Sequence, residues 1–233
     1  MRDTLMKTRR STFAGTTRKK RRGPGRPAAG ESLTPKDVAA AALQLIGAEG
    51  ESALTMRRLG SMLGVNAMAL YNHFPDKEAI LDAVASQVFA GMPLPPSKGP
   101  WKLRIKSLCF GIRELALHQP NVFRVAMTRH IPPEKSWPHI AAALSAFADA
   151  GLAPAAQVVA YQTVRLYVRA HCLWEFEELR VNRNGDSTEL ARAVSAYPGA
   201  AAAVNLIFAP DADRQFEAGL NLILRGLQSS QEQ

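Results

Sequence analysis

Hydrophobic positions recur at helical spacing from the first patterned segment onward. Val38, Ala42, Leu45 and Ile46 form one stripe, which Gly47 and Gly50 bracket at its end. Thr34-Pro35-Lys36-Asp37 is its start signal: Thr34 can cap, Pro35 has φ pre-set for a first turn, and Asp37 can answer free N–H groups. Leu59, Met62 and Leu63 mark a second, short helix capped by Thr55 and broken at Gly64, where a tight turn needs a positive φ. Asn66 then caps a third helix, predicted from Ala67 to about His73 with Leu70 inward. Pro75-Asp76 restarts a fourth at Lys77, with Leu81, Val84 and Val88 on one face.

The polar positions of the second and third helices change the picture. Short helix, glycine turn, short helix is a geometry that places the second of the pair in a DNA major groove, although any helical hairpin can show it by spacing alone. Here Arg57 and Arg58 stand in the first turn of helix two, Tyr71, Asn72 and His73 cluster at the end of helix three, and Lys77 opens helix four. These side chains can donate to phosphates or base edges.

Beyond a proline-rich break, Met92–Pro100, the chain still reads helical. Trp101, Ile105, Leu108, Ile112 and Leu115 mark one helix, and Asn121–Arg129 a short one. Ile140, Leu144 and Phe147 mark the next, Pro154 opens a long one to about Leu179, and Ala212, Phe216, Leu220, Ile223 and Leu227 a last one. Residues 182–210, with Asn-Gly and Pro-Gly breaks, are less regular. No alternating strand pattern occurs, so the predicted fold is all-α. The expected organisation is a basic arm over 1–30, a helix-turn-helix DNA-binding domain over 31–92 and a helical domain over 93–233.

Charge separates the arm from the rest. Residues 1–30 hold ten of the 29 basic and one of the 20 acidic residues, which equals the whole formal charge of +9. Such a segment is expected to be disordered, with too little apolar surface to offset its ordering entropy. Its cations would add salt-sensitive, sequence-blind affinity for DNA, and Arg26 in Gly25-Arg26-Pro27 is suited to a narrow minor groove. The same composition fits a solubilising extension, and also imitates an organellar transit peptide. The charge run alone does not choose among these.

Other classes are thinned by what is missing. No run approaches the roughly 18 apolar residues of a membrane span, and no apolar stretch follows the N-terminal charges as in a secretory signal. Cys109 and Cys172 form no CxxC pair, which excludes a disulfide scaffold and suits a reducing cytoplasm. No phosphate loop, nucleophile elbow, HExxH or triad-like spacing appears, so no catalytic site, metal or cofactor is predicted.

The stretch ALTMRRLGSMLGVNAMALYNHFPDKEAILDAV, with the segment from Leu33-Thr34 leading into it, resembles the DNA-binding domain of the tetracycline-repressor (TetR) family of bacterial regulators. The likeness runs ungapped to Val84, and the Leu-Tyr-x-His-Phe signature with a following lysine is specific. By position, the resemblance implies DNA contacts from Thr55 and Arg57. It puts Ala67, Met68 and Asn72 on the base-reading face of helix three, and Tyr71, His73 and Lys77 towards phosphates. The chemistry fits in part: asparagine can read adenine, arginine guanine, and Ala67 a thymine methyl, while Met68 offers only apolar contact. Tyr71 can instead pack its ring, and His73 can cap helix three.

The resemblance also implies a cytoplasmic, nucleoid-associated homodimer on a palindromic operator of double-stranded DNA. In the family the last two long helices form a dimer bundle, and a small-molecule cavity opens beside it. Phe110, Phe123, Met127, Phe147, Tyr167, His171, Trp174 and Glu175 are the pocket candidates, each of which can equally be core or interface packing. On the long helix, Val164, Val168 and His171 lie along one line, and Tyr161, Arg165 and Arg169 along a neighbouring one. His171 and Glu175 could share a metal, but a paired histidine and carboxylate is the simpler reading. Met127 stands near where the tetracycline-binding members carry a histidine, so tetracycline itself is not expected. The expected function is repression relieved by a small hydrophobic effector; the alternative is a non-specific nucleoid-type binder acting through the arm.

Overall fold

Four polar side chains start the first four helices of the computed structural model, which describes residues 33–129, 133–181 and 211–229. Thr34 caps α1 (Pro35–Glu49): its hydroxyl accepts from the Asp37 backbone, and the Asp37 carboxylate accepts from the Thr34 backbone. The hydrogen bonds from Thr34 also hold the Asp37 carboxyl below its ordinary range. Thr55 caps α2 (Met56–Leu63), Asn66 caps α3 (Ala67–Tyr71) and Asp76 caps α4 (Lys77–Gly91), each accepting one free N–H of the first turn. Gly64 closes α2 in the left-handed region at φ 71°, as its position in the sequence predicts. A 3-10 turn, Glu51–Ala53, bridges α1 and α2.

The third helix is shorter than its pattern predicts. It ends at Tyr71 because the amides of His73 and Phe74 both turn back onto the Leu70 carbonyl. Phe74 is thereby folded into the core just before Pro75, a position where the helical conformation is disfavoured.

After the proline-rich connection come α5 (Trp101–His118), α6 (Pro120–Thr128), α7 (Pro133–Asp149), α8 (Pro154–Val181) and α9 (Ala212–Ser229). All elements among the described residues are helical. The expectations for the arm, Arg26 included, and for residues 182–210 lie outside the described residues.

Two hydrophobic cores result, and α6 belongs to both. Val38, Leu45, Ile46, Leu59, Leu70, Ile80, Leu81 and Val84 make the first, which Val122, Val125 and Ala126 of α6 complete. Phe123, on the neighbouring face of α6, enters the second core with Ile105, Phe147, Val168, Phe216 and Leu220. The period of 3.6 residues explains the split, since adjacent residues on a helix point about 100° apart. The first three helices and α4 therefore do not close their own core; a helix beyond the proline-rich connection seals it.

Candidate functional site

The surface of α2 and α3 is built to leave donors free. Leu59 and Leu70 are fully buried beneath it, which fixes how the two short helices rotate about their axes. Gly60 sets their separation: a β-carbon there would stand 2.8 Å from the Val65 carbonyl oxygen. Its signal in the sequence was a glycine inside a helix of eight residues, a position that needs a packing reason.

On the outer side, Met68 is 70% and Tyr71 48% exposed, so the tyrosine ring is not a core side chain. Thr55, Arg57 and Asn72 are exposed, whereas Ala67, His73 and Lys77 are half-buried. The hydroxyl of Thr55 is already accepting from the Arg58 backbone. Arg57 and Arg58 differ although they are neighbours. Both carboxylate oxygens of Glu49 hold Arg58, at 2.5 and 2.6 Å, while Arg57 has no ion pair among the described residues. Lys77 donates to the Glu51 carbonyl at 3.2 Å, which ties the start of α4 to the turn before α2.

A second site lies between the two cores. A cavity of about 300 Å³ opens between the end of α4 and helices α5 to α8. Its walls are mostly apolar: Phe89, Ile105, Leu108, Ile112, Phe147 and Val168 are typical. Ala126, Met127 and Arg129 bring the C-terminal end of α6 to the same space. Burial pushes the Tyr161 phenol up and holds His139 below its ordinary range, so both are neutral near pH 7. The Cys109 thiol is pushed to about 12 by burial and is equally uncharged.

Two of the eight pocket candidates, Met127 and Phe147, line this cavity. Phe123 is 1% exposed and packs in the second core. The other five gather at the seam of α5, α8 and α9. Phe216 is the hub there, with ring centroids of Phe110, Tyr167 and His171 at 5.3, 5.8 and 5.1 Å. Trp174 stands 5.7 Å from His171. Glu175 is taken by Arg113, at 2.9 and 2.7 Å to its Nε and Nη2 atoms, with Asp213 at 2.7 Å completing the cluster. His171 is 4.0 Å from Glu175, and burial keeps it below its ordinary pKa. The reason for this sorting is rotational. Residues 167, 171, 174 and 175 share one face of α8, and the neighbouring line of Tyr161, Arg165 and Arg169 faces the cavity. An aromatic and two arginines at four-residue steps, beside the apolar Val164 and Val168, is the signal for that face.

Arg129 was not predicted as a functional residue, yet it joins the two sites. It lines the cavity and reaches out to Glu78, to Asp82 at 3.8 Å and to Glu51 at 3.7 Å. These acids belong to α4 and to the turn that precedes α2.

The family model for bacterial regulatory proteins of the tetR family matches residues 38–84, and that for the tetracyclin repressor-like C-terminal domain matches residues 92–230. The chain belongs to the TetR family. The class A tetracycline repressor of Escherichia coli is 30% identical over 200 residues, 84% of this chain and 90% of the relative. The class C repressor of Escherichia coli is 29% identical over 202 residues, 84% and 91% of the two chains. The crystal structure of apo ActR from Streptomyces coelicolor superposes with a TM-score of 0.71 at 25% identity, covering 84% of this chain and 97% of that one.

As a TetR-family member the protein is a sequence-specific DNA-binding transcriptional regulator, homodimeric and responsive to a small-molecule effector. Among the described residues, no helix is long and apolar enough to cross a membrane.

Proposed function

We propose that each subunit of the dimer lays α3 in a major groove of a palindromic operator and that an effector in the α4–α8 cavity releases the DNA. In this reading Asn72, Arg57, Ala67 and Met68 meet base edges. Thr55, Tyr71, His73 and Lys77 hold the backbone, and Arg26 with the rest of the 1–30 arm adds charge. Residues 31–92 act as the reading unit and 93–233 as the effector and dimerisation unit. Exposed Val158, Val159, Leu166 and Trp174 on α8, with Leu222 on α9, support these two helices as the dimer face. The protein performs no chemistry on its ligand and works in the bacterial cytoplasm.

The observation that carries the proposal is the double membership of α6. The helix that supplies Ala126, Met127 and, just past its end, Arg129 to the cavity also supplies Val122, Val125 and Ala126 to the core that holds Leu59 and Leu70 of α2 and α3. A ligand that displaces the end of α6 must repack that core or loosen the Arg129 ion pairs to α4. The effector then favours the arrangement with the wrong spacing of recognition helices, in proportion to its differential affinity for the two states.

Selection from random DNA tests this. The full chain and a chain starting at Glu31 should recover the same palindrome, the shorter with weaker binding and a flatter salt dependence. The folded reading unit gives grounds for that: residues 31–80 carry four basic and six acidic side chains. Recovery of A·T-rich or random DNA only, lost with the arm, would instead establish the non-specific nucleoid-type reading.

A further inference from the structure

The geometry points to an effector that is an apolar molecule carrying a carboxylate, held by Arg165 and Arg169. This inference rests on the reading of the α4–α8 cavity as the effector site. The ionisable groups on the wall sort into three kinds. His139, Tyr161 and Cys109 are neutral, and the Nε2 of His139 already donates to the Met92 carbonyl at 3.2 Å. Arg129 is cationic and spoken for, with acids of α4 and the 3-10 turn around it. Arg165 and Arg169 have no ion pair among the described residues; Arg165 makes only a 3.1 Å hydrogen bond to the Gln162 side chain. Among the described residues, no aspartate or glutamate lines the cavity.

That balance is unusual for this chain. Beyond residue 30 its basic and acidic side chains are equal in number, 19 of each, yet the described residues of the cavity wall include three arginines and no carboxylate. Arg165 and Arg169 are four apart on α8, where two like charges repel across one helical turn. A carboxylate between them would remove that repulsion and accept from both guanidinium forks, the geometry in which arginine binds carboxylates strongly. The remaining wall, with Phe89, Phe147 and Ile105, has nothing to offer a second charge and suits a hydrocarbon body. A neutral apolar ligand would leave both arginines as they are and forgo this contact.

Calorimetric titration of the full-length protein with anthracene-2-carboxylate and with the uncharged anthracene-2-carboxamide tests the inference. The carboxylate should bind at least about tenfold tighter, because hydrogen bonds to charged groups are the stronger class. Arg165→Gln/Arg169→Gln should reduce that preference to within about twofold while the variant still binds the carboxamide, which shows that the cavity has survived. Equal affinity of the wild-type protein for the two probes, or a preference that the double variant keeps, overturns the carboxylate assignment and leaves the cavity reading standing. Binding of neither probe overturns the cavity reading as well.

Discussion

The two halves of the molecule handle charge in opposite ways. In the DNA-reading half, polar side chains sit mostly at helix ends or on the outer surface, with the buried amide oxygen of Gln87 in α4 as an exception, and every residue buried as a whole among the described residues is apolar or glycine. In the effector half, Arg104, Arg113 and Glu175 are all buried, at 3, 5 and 6% exposure. Arg104 reaches Asp149 and the Ser145 hydroxyl, and so joins α5 to α7; Arg113 joins α5 to α8 and α9. The reading half is thus a small apolar core with Arg57, Tyr71 and Asn72 exposed on its outer side, while Arg58 and Lys77 are held by Glu49 and by the Glu51 carbonyl. The effector half places charges inside, where the bidentate Arg113–Glu175 pair ties α5 to α8.

Breaking the buried pair should give the largest effect. Glu175→Ala leaves the Arg113 guanidinium with only the exposed Asp213, and should cost about 3 kcal/mol in urea unfolding. The double change Arg113→Met/Glu175→Leu should recover most of that loss, because no buried charge is then left unpaired. If the single and double variants are equally unstable, the pair is not what distinguishes this half.

Crowding the reading half should come next. Gly60→Ala forces the β-carbon against the Val65 carbonyl, and the expected destabilisation is about 2 kcal/mol. Operator affinity should fall further than stability alone explains, since α3 is displaced. A crystal structure of this variant with α2 and α3 unmoved would refute the spacing role.

A smaller change should come from Asn72→Ala, a loss of about 1 to 3 kcal/mol in operator binding with relaxed preference at one base pair. Lys77→Ala should instead weaken all DNA sequences alike and lower the salt slope by about one. Gel-shift titration at several salt concentrations separates the two patterns.

The least effect should be one of pH. Burial holds His139 and His171 below the ordinary 6.5, so the unfolded chain binds more protons than the folded one just below that pH. Stability from this source is complete above 6.5 and declines as the pH falls through the lowered folded values. The denaturation midpoint should therefore drop between about pH 7.5 and about pH 5.5, and His171→Gln should show a shallower drop. An identical slope in that variant would remove His171 from the account.

The reading half was legible in the sequence because its determinants are local. Thr34, Thr55, Gly64, Asn66 and Asp76 each act within a few residues, and the structure puts each at the cap or turn that its type predicts. The sequence pattern carries α3 two residues too far because the inward turn of Phe74 is a tertiary event. The cavity was harder to read for the same kind of reason. The sequence pattern puts aromatic residues in its lining, whereas Phe110, Tyr167 and His171 pack on Phe216, a partner more than forty residues beyond them in sequence. Arg129 was invisible in the same way, since its acids lie on α4 and the 3-10 turn.

The sharing of α6 between two cores bears on how such a regulator can acquire a new ligand. A substitution at Ala126 or Met127 alters the core shared with the recognition helices along with the cavity, so its effects are pleiotropic. Tyr161, Arg165 and Arg169 line the same cavity from α8 and are absent from the core beneath the recognition helices. Variation there can change what the protein senses without changing which promoter it governs. A library confined to those three positions should accordingly yield altered inducers at a constant operator, whereas one confined to α6 should yield mostly constitutive or super-repressing variants.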